Sequence, residues 1–134
     1  MPRLHQFVRA VEGVVEPRPQ GINTKMVSRG RTFTGGTVPA TAIVEECYEL
    51  RSKEEHLLDW EDALQHHPQN QRGPIMFRRV RQSEALARHV YFRILTSQPH
   101  FQAFADAGID PFWQQSPPSR AAQWGPPLDI AAIA

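Results

Sequence analysis

Apolar positions in this chain recur at helical spacing, interrupted by prolines and glycines. Leu4, Phe7, Val8 and Val11 fall at i, i+3, i+4 and i+7, the stripe of a short helix that Gly13 and Pro17 should end. Arg3 and Arg9 flank it and no acidic residue precedes Glu12, so it reads as a docking helix, a surface-lying amphipathic segment or a targeting-like sequence. From Glu16 to Pro39 the pattern fades into Pro, Gly, Ser, Thr and Asn, with Gly35–Gly36 in the middle, which predicts a loop or extended arm held by a partner. In Thr41–Leu50, Ile43, Cys47 and Leu50 share a helical face, although Val44 and Tyr48 also suit a strand; a helix starting near Pro39 is the reading taken. Ser52-Lys53-Glu54-Glu55 has the form of a capping box, followed by Leu57, Trp60 and Leu64 on one side, which predicts a helix over Lys53–His66. The longest pattern is Pro74–Thr96, with Met76, Val80, Ser83, Ala87, Val90 and Ile94 inward and Glu84–Arg88 as an i,i+4 pair. Pro99 closes it. A short helix over His100–Ala107 carries Phe101 and Phe104, with Gly108 as a left-handed cap. Ile109–Trp113 is an aromatic stop, and Ser116–Ala134 is a Pro-, Ala- and Gln-rich tail anchored by Trp124.

The stretch Ala63–Arg81 organises this layout. Pro68 cannot sit inside a helix and pushes His67 toward extended backbone; Asn70 and Gly73 suit a turn, and Pro74 suits the first position of a new helix. Met76, Phe77, Arg78 and Arg81 follow directly, an apolar wedge beside guanidinium groups. The expectation is an all-α fold, a helix–proline corner–helix core with long irregular N- and C-terminal arms. Its parts are an N-terminal helix and arm over 1–39, the helical core over 40–113 and a Pro-rich tail over 114–134.

Composition narrows the function. A chain of 134 residues is one domain with a modest core, and a net charge of +1 argues against a dedicated nucleic-acid binder. Only Lys25 and Lys53 are lysines among 15 basic residues; the others are arginines, which suit stacked and bidentate contacts at an interface, or a GC-rich genome. The lone Cys47 excludes an internal disulfide and a four-cysteine zinc site, and reads as a small buried hydrophobe. No run approaches the ~18 apolar residues of a membrane-spanning helix.

Chemistry is sparse. No phosphate-loop, dinucleotide or nucleophile-elbow motif occurs. His66–His67, with His56 ten and eleven positions earlier, invites a metal reading, but adjacent histidines diverge on a helix and solvated residues at a helix C-terminus account for them. Glu45–Glu46 and Glu54–Glu55 read as surface charge pairs, so no catalytic residue, metal ligand or cofactor site is assigned. Phe77, Arg78, Arg79 and Arg81 are either core and solvated charges, or, the favoured reading, an apolar anchor with arginines for carboxylates or lipid phosphates.

The spacing of Ala63, Leu64, Pro68, Asn70, Met76-Phe77-Arg78, Arg81 and His89 resembles the small matrix-side subunit of mitochondrial ubiquinol–cytochrome c reductase (complex III), the ubiquinone-binding protein or subunit 7 family. Phe101-x-x-Phe104 and Ile109-Asp110-Pro111-Phe112 stand where that family has an aromatic pair and an L-x-P-Y run, so the likeness spans Asp62–Trp113. Ile75 replaces the family's usual Arg, and Asp62 its Glu. The resemblance implies a non-catalytic accessory subunit without redox centres, peripheral on the matrix side of the inner membrane. It would clamp cytochrome b and neighbouring subunits, touch lipid at most at its edge, bind no nucleic acid, and support assembly and stability. Met76, Phe77, Arg78 and Arg81 would be interface residues, with Pro68 and Asn70 setting the approach angle. No quinone pocket is carried over. The competing class is an accessory protein of an organellar ribosome or other nucleoprotein, with Arg29, Arg31, Arg78, Arg79 and Arg81 on phosphate.

Overall fold

The computed structural model describes residues 2–16, 22–105 and 107–134. Among them it contains helices and no strand: α1 (Pro2–Val15), α2 (Ile22–Thr34), α3 (Val38–Glu55), α4 (Gln69–Thr96), α5 (Gln98–Ala103), α6 (Ile109–Gln114) and α7 (Pro117–Trp124), with 3₁₀ turns at Trp60–Leu64 and Ile130–Ala132. The all-α expectation is met.

α4 is the axis. Its 28 residues span about 42 Å. Met76, Leu86, Ala87, Val90 and Ile94 turn inward, and α1 lies along it with Leu4, Val8, Val11 and Val15 buried at i, i+4, i+7 and i+11. These residues join one cluster running from Leu4 to Ile130, so both chain ends share the core.

The segment expected as a loop between Glu16 and Pro39 contains α2. Met26, Gly30 and Phe33 are buried at i, i+4 and i+7, and that burial outweighs the poor helix propensity of the Ser, Thr and Gly around them. A Cβ on Gly30 would stand 3.5 Å from Val44, an ordinary van der Waals contact, which places this part of α2 directly against α3. Gly35, at φ 74°, ends α2 in left-handed backbone. Pro17 and Pro19 lie outside the described residues.

α3 starts where the proline suggests: Thr37 accepts from the Ala40 N–H and Pro39 sits in the first turn. It continues to Glu55, so Ser52–Glu55 is its last turn and not a capping box. The break falls at Leu57, whose φ is 53°. The Leu58 N–H reaches the Lys53 carbonyl at 2.9 Å and the Leu57 N–H reaches Glu54 at 3.2 Å, the paired bonds of a Schellman end. Asp59 then caps the Trp60–Leu64 turn by accepting from Glu61. The helix expected over Lys53–His66 is therefore a helix end, a reversal and a 3₁₀ turn.

Past Pro68, α4 begins at Gln69, five residues before the expected Pro74, which lies inside its second turn. Pro74 removes only one N–H, the one facing the Asn70 carbonyl, and exposed Asn70 keeps that group near solvent. α4 ends at Thr96, as the apolar pattern predicts. Gly108 is not left-handed (φ −97°); it is needed because a Cβ there would sit 2.2 Å from the Gln102 carbonyl oxygen.

The tail folds back. Ser116 caps α7 with Pro117 and Pro118 in the first turn, Trp124 and Ile130 are buried, and the Leu128 N–H donates to Phe33 at 2.8 Å. Phe33, Phe104, Phe112, Trp113 and Trp124 pack with ring centroids 4.6–6.3 Å apart. Three arginines cover this cluster: Arg29 lies 5.1 Å and Arg120 5.4 Å from the Trp113 ring, and Arg93 5.3 Å from Trp124.

Two outcomes follow. Leu57 carries the strain of left-handed backbone on an exposed side chain, so Leu57→Gly should raise the unfolding free energy by about 1 kcal/mol, read from urea melts. His89 accepts the Trp124 indole N–H on Nε2 at 3.3 Å, which requires the neutral ring. Burial, aided by the Arg93 cation, moves its pKa from 6.5 down to about 4. The unfolded chain takes up the proton first, so this contribution is fully present above pH 6.5 and is lost as pH falls toward 4. Urea melts across that window should lose up to about 3 kcal/mol, and His89→Gln, which keeps an acceptor without titrating, should flatten the slope.

Candidate functional site

The corner residues singled out by sequence separate into three groups. Pro68 directly precedes α4, with its carbonyl accepting from Gln71 at 2.9 Å, and Asn70 is exposed on the first turn. Met76 is 1% exposed and belongs to the core. Phe77, one position on, is 65% exposed. Arg78 and Arg81 lie on the surface but bind this chain's own tail. Arg78 donates from Nε to Ile133 and from Nη2 to Ala131, each at 2.9 Å, and Arg81 donates to Ala134 at 2.5 Å. Beside them Gln82, fully buried, donates to Ile130 at 3.0 Å. Successive turns of α4 thus donate to carbonyls in and just after the Ile130–Ala132 turn of the tail.

The outward face of α4 is apolar at both ends and charged between them. Phe77, Arg81, Glu84, Arg88, Phe92 and Leu95 follow at i, i+4, i+7, i+11, i+15 and i+18, one side of a straight helix. Phe92 is 70% and Leu95 68% exposed, and Phe101 on α5 adds a ring 55% exposed. A shallow concavity lined by Asn70, Gln71, Pro74, Ile75 and Arg78 adjoins the Phe77 end.

A second constellation lies under the corner. Glu46 on α3, expected at the surface, is buried, and its carboxylate gathers three groups. His66 Nε2 and His67 Nε2 each stand 2.6 Å from Oε1, and Arg79 Nε donates to Oε2 at 2.7 Å. Arg79 in turn donates from Nη1 to Gln82 at 2.6 Å, so the node is wired to the tail clamp. Burial pushes the Glu46 carboxyl up, but hydrogen bonds from His67, Arg79 and His66 outweigh it and hold the group below its ordinary range. His56 stands apart, at the end of α3. The convergence of His66 and His67 was not legible in the sequence, because adjacent histidines diverge on a helix and a helix was expected through His66. The usable signal was Glu46 itself, three residues after Ile43 at the edge of the α3 stripe, where an unpaired carboxylate would be costly. Neighbouring Cys47 is buried and its thiol is pushed up to about 11, which leaves it a poor nucleophile.

No family model matches the chain, and neither a curated protein nor a solved structure matches it.

The tail clamp gives a direct outcome. Arg78→Ala removes two charge-assisted bonds and should lower stability by about 1–2 kcal/mol, while the loss is felt locally. Hydrogen exchange should quicken at Leu128–Ala134 and stay unchanged in α1.

Proposed function

We propose that this chain is a non-catalytic accessory subunit that seats the outward face of α4 on a larger assembly, the mitochondrial cytochrome bc complex, peripheral on the matrix side of the inner membrane. Cytochrome b is its principal neighbour in this reading, and its work is assembly and stability. The carrying observation is the exposure of Phe77, Phe92, Leu95 and Phe101, four large apolar side chains on α4 and α5, with Arg81 and Arg88 among them. Aromatic anchors beside arginines make up the usual energetic centre of protein interfaces. The choice of assembly rests on the resemblance across Asp62–Trp113, which takes in the proline corner, all of α4 and α5 and all but the last residue of α6. Among the described residues no helix is long and apolar enough to cross a membrane, which is compatible with a peripheral seat.

The nucleoprotein reading has less to draw on. It needs arginines facing phosphate, yet Arg79 is buried against Glu46, Arg78 and Arg81 hold tail carbonyls, and Arg29 donates to the Val15 carbonyl at 2.7 Å. Arg31, the remaining member of that set, is exposed.

Gentle solubilisation of source membranes followed by native separation tests the assignment. The chain should run with b- and c-type haem absorbance; migration with ribosomal RNA, or alone, would overturn it. The paired substitution Phe77→Ser and Phe92→Ser should leave the isolated chain's stability within about 1 kcal/mol, because both rings are exposed. Incorporation should fall by at least about 30-fold, the equivalent of a 2 kcal/mol hot spot. Unchanged incorporation would remove this face from the interface.

A further inference from the structure

The geometry points to a divalent transition-metal site at Glu46, His66 and His67, with zinc as the reference ion. This is independent of which assembly the outer face of α4 meets. One ligand atom from each of the three side chains lies within 4.8 Å of the others. Neighbouring residues on a helix point about 100° apart. That both Nε2 atoms converge on one carboxylate oxygen therefore requires the irregular backbone between the Trp60–Leu64 turn and α4, and that backbone is held in place. The His67 N–H donates to Leu64 at 2.9 Å, and Arg72 reaches from Nε to the His67 carbonyl and from Nη2 to the Gln65 carbonyl, both at 3.1 Å.

The carboxylate is equally fixed. Arg79 holds Oε2, leaving Oε1 toward the imidazoles, which is the outer-shell support that orients metal ligands. Spacing is close. With bonds of 2.0–2.1 Å, ligand atoms around tetrahedral zinc stand about 3.3 Å apart. Each nitrogen stands 2.6 Å from Oε1 and the three atoms lie within 4.8 Å of one another, so each imidazole has to move outward from Oε1 by about 0.7 Å to admit the ion. Two imidazoles with one carboxylate favour zinc and its transition-series neighbours; calcium and magnesium prefer an all-oxygen shell. The His66 side chain is 58% and that of His67 26% exposed, so the ion has an approach from solvent and an open position for water or a partner's side chain. The ion would tie α3 to the corner.

The test uses the untagged full chain and Zn²⁺ alone, with calorimetry and competition against a chromophoric chelator, and Co²⁺ absorption as a spectroscopic signature. One ion per chain should bind. His66→Ala, on the exposed side of the node, should weaken binding at least tenfold, His67→Ala likewise, and His56→Ala should change nothing. Zn²⁺ should raise the thermal midpoint of the wild-type chain and of His56→Ala, and lose that effect in His66→Ala, which circular dichroism would show to be folded. Absence of stoichiometric binding, or equal binding by the His66→Ala/His67→Ala pair, overturns the site.

Discussion

A buried charge has to be matched, and the Glu46–Arg79 pair is where this fold meets that constraint most heavily. Both side chains are about one-tenth exposed, with 2.7 Å between Nε and Oε2. Removing one member of such a pair strands the other and typically costs about 3–5 kcal/mol. The pair joins α3 to α4. Through Oε1 it orients the histidine turn, and through Gln82 it reaches the Ile130 carbonyl at the far end of the chain. The register of α3 on α4, the shape of the corner and the seat of the tail are coupled through one carboxylate.

The same device recurs with different balance. Glu12 meets Arg51 at 2.6 Å, and Glu16 lies near Lys25 and Arg29, all between α1 and its neighbours. Around Glu12, burial dominates and pushes the carboxyl above its ordinary range despite Arg51. Around Glu46, three hydrogen-bond donors reverse the sign. Arginine fits both tasks, because one planar group can pair with a carboxylate, satisfy carbonyls and lie over an indole. The excess of arginine over lysine finds its physical use inside this molecule: Arg51 and Arg79 in ion pairs, Arg78 on the tail, Arg29, Arg93 and Arg120 over tryptophans.

What the sequence discloses follows the strength of local periodicity. The stripe of α1, the start of α3 near Pro39 and the long pattern of α4 ending at Thr96 are legible because apolar spacing and proline position agree there. α2 is hidden because its burial rests on Met26 and Phe33 with a glycine between them, a stripe too thin to see before α3 and the tail supply the other walls. The end of α3 is hidden for the opposite reason. Ser52–Glu55 satisfies a start motif, but its Ser is already inside a helix begun at Val38, and the stop is set by a leucine in a conformation usually left to glycine. The corner residues were legible as a group and not as roles: Met76 turns inward, Phe77 outward, and Arg78 and Arg81 after them serve the tail. The Glu46 node joins residues about twenty and thirty-three positions apart, which no local pattern encodes.

The helix that carries most of this also separates its uses. Phe77 and Arg79 are two residues apart on α4, about 200° around its axis, so the exposed ring and the buried guanidinium point to nearly opposite sides. A partner seated on Phe77, Phe92 and Leu95 would not need to disturb the node, and an ion at the node would not need to reach that partner. Yet both depend on the same 28-residue rod, whose inner side is fixed by Arg79, Gln82 and Met76 and whose position sets where the outer side points. Rigidity on one side is what makes the other side a usable surface. Three large apolar residues on a loosely held helix would bury themselves. Here the inner face is already fully occupied, and they remain outside.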